Sequence, residues 1–299
     1  MIEINNLTKQ YGTYKAVNNL SFEVDDGKML GFLGVNGAGK STTINMLSTI
    51  LKHDSGEAII NGYVLGKDDR KIRETIGVVY QQNVLDESLS VKENLSIRAR
   101  FAGVDKTKFN RRLNELCELL ELEDILNKRY KVLSGGQKRR CEIAAALIHA
   151  PRVLFLDEPT TGLDPATRIE VWNAVKSLRE DKNMTVFLTT HYMEEAAAAD
   201  KIVIIDKGIK KAEGTPVELK KKYTKEKLQL YFDKKNEEQI KKLIDTHNYS
   251  STTAGAALTI NDSFESIDIV NRIRPLIYGF EVIDGNMDDV FLNVTGKSE

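Results

Sequence analysis

The sequence has little of several features that would point to a specialised class of protein. It contains only two cysteines, Cys117 and Cys141, and both lie within helical patterns far apart. We therefore expect reduced thiols in a cytosolic protein rather than a disulfide scaffold. The 43 lysines and arginines balance the 44 aspartates and glutamates, and the resulting net charge of −1 gives no general attraction to nucleic acid.

Long apolar runs are also missing. No stretch approaches the ~20 residues that a membrane-spanning helix needs, and residues 1–5 show no basic region followed by an apolar core. With 41% hydrophobic and 29% charged residues, the composition is that of a soluble globular protein with one large domain or two ordinary ones. If such a chain acts at a membrane, it must do so through a partner.

The most informative stretch is residues 34–42, which follows an apolar run at 29–33 and precedes a helical pattern. Strand, glycine-rich turn, Gly-Lys-Ser and helix together are typical of a phosphate-binding loop. Glycines bring backbone N–H groups close to an anion, and the helix N-terminus adds unpaired donors. Lys40 can reach the β- and γ-phosphates, and the Ser41 hydroxyl can bind Mg²⁺. The predicted nucleoside triphosphate site consists of Gly34, Asn36, Gly37, Ala38, Gly39, Lys40, Ser41 and Thr42.

Polar side chains also follow other strongly apolar runs. These junctions are Gln81-Gln82 after residues 76–80, Asp157-Glu158 after residues 153–156, and Thr189-Thr190-His191 after residues 185–188. Ligands bind at the carboxyl ends of strands in open α/β sheets. Asp157 can hold the Mg²⁺ shell, Glu158 can orient or deprotonate an attacking water, and His191 can face the γ-phosphate. The glutamine pair, taken alone, favours a surface position.

A second helix start, Ser134-Gly135-Gly136-Gln137, also offers backbone donors to an anion. Ser134 is a good N-cap for the helix that follows. The first loop already covers the phosphates of one nucleotide, so within a single site this second start is redundant. Two interpretations remain open: it is only a capped helix, or it serves a nucleotide held elsewhere.

The remaining pattern predicts the architecture. Alternation over residues 2–24 predicts antiparallel strands, and residues 88–126 predict a helical block. Tyr11, just before a turn, is either a packing residue or a flat face for a base. Residues 225–299 read strand, helix, strand, helix, strand, helix, which indicates a small α+β unit of the ferredoxin-like kind. Two helices are predicted to bury Ile44, Met46, Leu47, Ile50 and Leu51 in the first and Ile169, Trp172 and Val175 in the second.

Six features of the chain, taken in order, resemble those of the ATP-binding-cassette (ABC) ATPases. They are Tyr11, the loop at residues 34–42, Gln81, the Ser-Gly-Gly-Gln helix start, the Asp157-Glu158 pair and His191. The resemblance covers residues 1–220, and its most specific motif is Leu-Ser-Gly-Gly-Gln. It implies an α/β P-loop fold with a RecA-like core, an antiparallel β subdomain and an all-helical signature subdomain at about residues 85–150. The small α+β domain at 225–299 would follow. The implied ligands are ATP and Mg²⁺.

The resemblance also implies roles for single residues. Tyr11 would stack on adenine, and Gln81, rather than Gln82, would sense Mg²⁺ and the attacking water. His191 would contact the γ-phosphate, and Asp164 would lie in a loop that crosses to a partner. The implied catalytic set is Lys40, Gln81, Glu158 and His191, and the implied Mg²⁺ ligands are Ser41, Gln81 and Asp157.

In ABC ATPases, two nucleotide-binding domains sandwich two ATP molecules head to tail. Ser134, Gly135, Gly136 and Gln137 of one domain would then face the γ-phosphate bound by the other, which accounts for the redundant helix start. A homodimer or a closely related pair is the natural two-fold assembly. A single chain would therefore supply half of each site.

The last part of the chain narrows the resemblance. Residues 288–296, Asp-Asp-Val-Phe-Leu-Asn-Val-Thr-Gly, look like the ending of ATPase subunits of type-2 ABC exporters, the drug-resistance and sodium-efflux group. In that group a separate polytopic membrane protein supplies the path, which would place this chain on the inner face of the cell membrane. The alternatives are an importer ATPase and a soluble ABC ATPase acting on ribosomes or DNA. Those soluble relatives usually carry two cassettes or a long coiled coil, and this chain has neither.

Overall fold

The computed structural model describes residues 1–182, 184–244 and 249–296. The chain divides into two compact units, the first spanning Met1–Pro216 and the second beginning at Val217. The strands of the first unit are β1 (Ile2–Tyr11), β2 (Tyr14–Val24), β3 (Met29–Leu33), β4 (Ser55–Ile60), β5 (Tyr63–Val64), β6 (Ile76–Val79), β7 (Val153–Asp157), β8 (Thr185–Thr190), β9 (Lys201–Asp206) and β10 (Ile209–Gly214). Its helices are α1 (Lys40–Leu47), α2 (Asp69–Thr75), α3 (Val91–Phe101), α4 (Lys106–Leu120), α5 (Gly135–Leu147), α6 (Pro165–Lys182) and α7 (Met193–Ala197).

Two sheets form the framework of the first unit. One is antiparallel with the strand order β2-β1-β4-β5, and the other has the order β10-β9-β3-β8-β7-β6. In the second sheet the strands from β9 to β6 pair in parallel, and β10 pairs antiparallel at the edge. Helices α3 to α5 lie between β6 and β7 in the chain. The predicted fold class, with its parallel core, antiparallel layer and helical block, is confirmed.

The parallel sheet brings the predicted polar residues to one edge. Strands β3, β8, β7 and β6 are neighbours, and the phosphate loop, His191, Glu158 and Gln81 follow their carboxyl ends. In the register of the sheet, Leu33 pairs with Thr190 and Asp157 pairs with Thr189. Such neighbouring strand ends are where open α/β sheets bind ligands.

An aromatic cluster joins the two sheets. Phe32, Phe155 and Phe187 come from the parallel sheet, and Phe22 comes from β2. Phe187 lies at the centre, with ring centroids 5.2 Å from Phe32, 5.4 Å from Phe155 and 6.0 Å from Phe22. The tilted rings are within the range of favourable aromatic packing. The strands that carry the site residues therefore rest on a continuous apolar core.

Two helices bury only part of the predicted set: Ile44, Met46, Leu47 and Val175 are buried as predicted. Helix α1 ends at Leu47, because Thr49 takes a left-handed φ of 65°, and Ile50 is 62% exposed. Ile169 on α6 is also exposed, so its predicted inward position is wrong. On α6 the predicted Val175 is buried together with Val171 and Ala174, which were not predicted. Apolar spacing alone does not define which side of a helix meets the core.

The second unit has its own antiparallel sheet. After α8 (Pro216–Tyr223) the elements are β11 (Glu226–Tyr231), α9 (Glu237–Leu243), β12 (Tyr249–Thr252), β13 (Gly255–Ile260), α10 (Ser263–Ile273), β14 (Gly279–Ile283) and α11 (Met287–Thr295). The sheet order β12-β13-β11-β14 and the βαββαβ succession are those of a ferredoxin-like unit, as predicted. Strand β12 was not predicted, because its sequence Tyr-Ser-Ser-Thr is mostly polar. The predicted end of α9, at Thr246, lies outside the described residues.

Both cysteines are free and buried. Burial raises the pKa of the Cys141 thiol to about 12 and also raises the pKa of Cys117. Neither thiol is therefore reactive at neutral pH. In the part of the chain that the structure describes, no helix has both the length and the apolarity needed to cross a membrane.

Candidate active site

The loop after β3 forms a backbone cradle at the start of α1. Gly37 and Gly39 take φ values of 82° and 108°, in the left-handed region that glycine tolerates. A Cβ atom at Gly39 would also collide with the carbonyl of Ala16. The backbone can therefore approach a bound anion closely, at a helix N-terminus whose amide donors lack intrahelical partners.

A cavity of about 460 Å³ opens over this cradle, which is a usual size for a small-molecule site. Six of the eight predicted loop residues line it, whereas Gly34 and the buried Ala38 do not. The lining residues are Tyr11, Tyr14, Ala16, Val35, Asn36, Gly37, Gly39, Lys40, Ser41, Thr42, Gln81 and Glu158. The cavity thus combines a phosphate cradle with two of the polar side chains at strand ends.

Lys40 lies at the bottom of the cavity and is only 4% exposed. Its Nζ donates to the carbonyl of Gly34 at 2.8 Å and lies 3.3 Å from Glu158 Oε1. A buried ammonium group is stable only when it is paired. The ion pair therefore holds the lysine in the cradle, where the oxygens of a phosphate could replace the carboxylate.

Glu158 is the meeting point of the predicted catalytic residues. Its Oε2 accepts a hydrogen bond from Gln81 Nε2 at 3.3 Å and lies 3.3 Å from His191 Nδ1. Together with Lys40, all four predicted catalytic side chains therefore converge. Thr161, which sequence reasoning missed, also donates to Oε2, at 3.1 Å. Gln81 lines the cavity and Gln82 does not.

The backbone at Glu158 is strained. Its φ of 47° is unusual for a residue with a side chain and costs about 1–3 kcal/mol. The turn is held from the neighbouring strand, because the Glu158 N–H donates both to the carbonyl of Thr189, at 3.1 Å, and to its Oγ1, at 3.0 Å. A strained residue fixed in this way at a cavity wall is typical of a functional site.

The donors present fit a magnesium ion that is bound together with phosphates. Ser41 lines the cavity, and Asp157, 5% exposed, lies at the adjoining strand end with its Oδ1 accepting from Thr189 Oγ1 at 2.6 Å. Among the described residues, no group of three histidine, cysteine or acidic side chains could hold a metal ion alone. Mg²⁺ commonly takes only one or two protein ligands and completes its shell with phosphate oxygens and water.

Two tyrosines stand at the mouth of the cavity. Tyr11 is 51% exposed, so its ring is available to a ligand rather than buried as a packing residue. Tyr14 was missed by sequence reasoning, and its hydroxyl donates to the carbonyl of Gly37 at 3.3 Å. Its signal was present in the sequence, three residues beyond Tyr11 on the other side of the Gly12 turn.

The Ser134 helix start lies outside the cavity. Ser134 and Gln137 form a reciprocal capping box at the start of α5. The adjoining Gly136 packs so closely against Thr167 that a Cβ atom there would overlap it. Thr167 in turn donates its N–H and Oγ1 to Asp164, which lowers the pKa of that carboxyl group. These predicted residues therefore form a second cluster, separate from the nucleotide cavity of the same chain.

An anion cradle that shares its cavity with a carboxylate able to activate water is the arrangement of a P-loop nucleoside triphosphatase. Comparison with known proteins narrows this class. The ABC transporter family matches residues 17–161. The daunorubicin/doxorubicin resistance ATP-binding protein DrrA of Streptomyces peucetius is 38% identical over 306 residues, covering 99% of this chain and 92% of the relative.

Two further comparisons agree. The Nod factor export ATP-binding protein I of Rhizobium etli is 35% identical over 302 residues, covering 99% of this chain and 93% of the relative. A solved dimeric ATP-binding cassette in a post-hydrolysis state, bound to ADP and Pi, matches with a TM-score of 0.66 and 29% identity over 72% of this chain and 98% of that one. This chain belongs to the ABC transporter ATP-binding family, and it binds and hydrolyses ATP.

The two neighbouring glutamines allow a matched test of the site. Gln81→Ala should lower kcat for ATP hydrolysis by about 10- to 100-fold, because the contact that aligns Glu158 is lost. Gln82→Ala should change kcat by no more than about twofold, because that side chain is exposed and outside the cavity. Steady-state ATPase assays of both variants provide the measurement. A larger loss in Gln82→Ala than in Gln81→Ala would reverse the assignment.

Proposed function

We propose that this protein is the ATPase subunit of an ABC exporter, in which two copies close on ATP and thereby move a separate polytopic membrane subunit. The observation that carries the proposal is the separation of Ser134–Gly136 from the cavity of their own chain, so that their backbone donors are available to a nucleotide held by a second subunit. The relatives named for drug resistance and Nod factor export support the direction of transport. The membrane subunit would hold the chain at the inner face of the membrane.

Within one cavity, each side chain has a distinct role. Tyr11 stacks on the adenine, and the loop amides and Lys40 hold the phosphates. Ser41, Gln81 and Asp157 would hold Mg²⁺, which would supply charge neutralisation to the phosphates. Glu158 accepts the proton of the attacking water, and His191 contacts the γ-phosphate. The Lys40–Glu158 pair separates when phosphate oxygens take over the lysine, which frees the carboxylate to act on water.

The second subunit completes the site. Ser134, Gly135, Gly136 and Gln137 begin α5 with amide donors that could hold the γ-phosphate bound by the partner. Asp164 stands beside them through its contacts with Thr167 and would face the same interface. The dimeric cassette bound to ADP and Pi supports this arrangement. Hydrolysis removes the shared γ-phosphate and allows the dimer to reopen.

A cleft in the first unit could receive the cytoplasmic part of the membrane subunit. Its walls come from β6, α3 and α5, and its rim carries Phe101, an aromatic side chain that is 87% exposed, and the exposed Ile50. Tyr80 lies in the same cleft and immediately precedes Gln81. A partner segment that contacts Tyr80 there could shift Gln81, because the two residues are joined by one peptide bond.

Co-expression with a candidate polytopic membrane protein, taken from an adjacent open reading frame, tests the proposal. The wild-type chain should co-purify with that protein and confer ATP-dependent export, measured as efflux from cells or vesicles. Phe101→Asp should abolish co-purification while the ATPase rate of the isolated chain stays near the wild-type value, because Phe101 lies outside the nucleotide cavity. Val217→Asp, at a residue that is 75% exposed, is the matched control and should behave as wild type. Uptake instead of efflux, or association that survives Phe101→Asp, would contradict the corresponding part of the proposal.

A further inference from the structure

Arg139, in the second turn of α5, is buried, and within the part of the chain that the structure describes it has no acidic hydrogen-bond partner. It is 5% exposed and donates only to backbone carbonyls. The acceptors are Pro159 for Nε at 2.5 Å, Tyr80 for Nη1 at 2.5 Å, and Asp157 and Glu158 for Nη2 at 3.2 and 3.1 Å. A planar guanidinium with five N–H groups is the side chain able to serve so many acceptors at once.

These four carbonyls belong to two different strand ends. Tyr80 follows β6 and directly precedes Gln81, whereas the other three carbonyls lie at the end of β7, around Glu158. One side chain of α5, the signature helix that begins at the Ser134-Gly135-Gly136-Gln137 motif, therefore binds the backbone beside Gln81 and at Glu158. Its bond to the carbonyl of Glu158 also helps to hold the left-handed φ at that position.

Glu142, one turn further along α5, holds the other end of the glutamine segment. Its Oε1 accepts from the N–H groups of Val84, at 2.8 Å, and Leu85, at 3.1 Å, and from the hydroxyl of Tyr130, at 2.9 Å. Residues 81–83 are thus held on both sides by consecutive turns of one helix. A displacement of α5 would carry this segment with it.

The charge of Arg139 is retained at neutral pH. Burial lowers the pKa of the guanidinium to about 10, and the nearby Glu142, Tyr130 and Asp157 oppose this shift. A lysine at this position could offer only one nitrogen to the four carbonyls. Arg139→Lys therefore removes most of these hydrogen bonds while it keeps a basic side chain of similar length.

We propose that Arg139 is a positioning residue for ATP hydrolysis, which fixes Gln81 and Glu158 relative to the signature helix that meets the partner's nucleotide. The proposal rests on the proposed function, because it couples closure of the dimer, through α5, to the positions of Gln81 and Glu158. Arg139 does not touch the cavity. Its effect must therefore pass through the two residues that it holds.

The first experiment separates catalysis from binding. Arg139→Lys should lower kcat by about 10- to 100-fold, with KM for ATP within about twofold of wild type, because the phosphate cradle is untouched. Arg140→Lys is the matched control: Arg140 is the next residue, pairs with Glu121 and Glu170, and makes no contact with the strand ends. It should keep the wild-type kcat. An unchanged kcat in Arg139→Lys, with the wild-type enzyme active, would overturn the inference but not the proposed function, which the co-purification and efflux measurements test separately.

The second experiment tests whether Arg139 acts through Glu158. In the Glu158→Gln background, single-turnover hydrolysis should fall by less than about twofold when Arg139→Lys is added, because Arg139 acts by aligning Gln81 with the Glu158 carboxylate, and that carboxylate is already gone. A full additional 10- to 100-fold loss would show an independent, merely structural role. If Arg139→Lys does not fold, Glu142→Ala takes its place: it should lower kcat by about 10-fold at unchanged KM, and an unchanged kcat would refute the coupling to α5.

Discussion

Replacing Glu158 by glutamine should lower kcat for ATP hydrolysis by about 10²- to 10⁴-fold, the usual contribution of a general base, while ATP binding persists. The amide keeps the size of the carboxylate but replaces one acceptor oxygen with an NH2 donor and cannot accept a proton from water. With its oxygen toward Lys40, the amide nitrogen can donate to the side-chain oxygens of Gln81 and Thr161 once these groups reorient, so the turn should keep its conformation.

The measurement combines the rate of ATP turnover of the variant with its oligomeric state. Glu158→Gln should accumulate as an ATP-bound dimer in size-exclusion chromatography, because closure proceeds and the release step does not. Glu194→Gln is a suitable control, since Glu194 is an exposed carboxylate on α7 outside the cavity. Turnover near the wild-type rate in Glu158→Gln would remove Glu158 from its assigned role.

Lys40→Ala should weaken ATP binding by about 10²-fold or more. Each charge-assisted hydrogen bond to phosphate contributes about 1.5–3 kcal/mol, and about 1.4 kcal/mol corresponds to tenfold in affinity. The chain should remain folded, because Glu158 keeps its contacts with Gln81, Thr161 and His191 after the lysine is removed.

An equilibrium titration with a fluorescent ATP analogue provides the measurement for this variant. Lys28→Ala serves as the control, because Lys28 is a surface lysine paired with Asp200 and lies away from the cavity. An affinity within about threefold of wild type in Lys40→Ala would contradict the role of this lysine, since it corresponds to less than one charged hydrogen bond.

The sequence was sufficient to predict the cradle and the strand ends, because both depend on local patterns. A glycine-rich turn between a strand and a helix predicts its own geometry, and neighbouring parallel strands bring Gln81, Glu158 and His191 to the same edge. The choice between Gln81 and Gln82 could not be made from the residues alone. In the structure Gln81, and not Gln82, contacts Glu158. The catalytic roles of Gln81 and Glu158 remain predictions.

Arg139 and Glu142 could not be recognised from the sequence. Each looks like a charged residue on the polar side of a helix, and only the packing of α5 against β6 and β7 turns them inward. The same limitation explains Ile50 and Ile169, whose apolar side chains fit a buried stripe but are exposed in the fold. Hydrophobic spacing predicts that a helix has a buried face, and tertiary contacts decide where that face begins.

The central claim is that each ATP site is shared between two copies, and a mixing experiment tests it most directly. One copy carries Lys40→Ala and loses its own phosphate cradle. The other carries Gly135→Asp, which fits its own fold because Gly135 is exposed and an acidic residue is favourable in the first turn of a helix. The new carboxylate would, however, repel the γ-phosphate bound by the partner.

Each variant alone should be inactive in ATP hydrolysis, because both of its sites contain a defective component. An equimolar mixture should recover about a quarter of the wild-type rate, since half of the dimers are mixed and each mixed dimer has one intact site. A mixture that is as inactive as the separate variants would contradict the shared site.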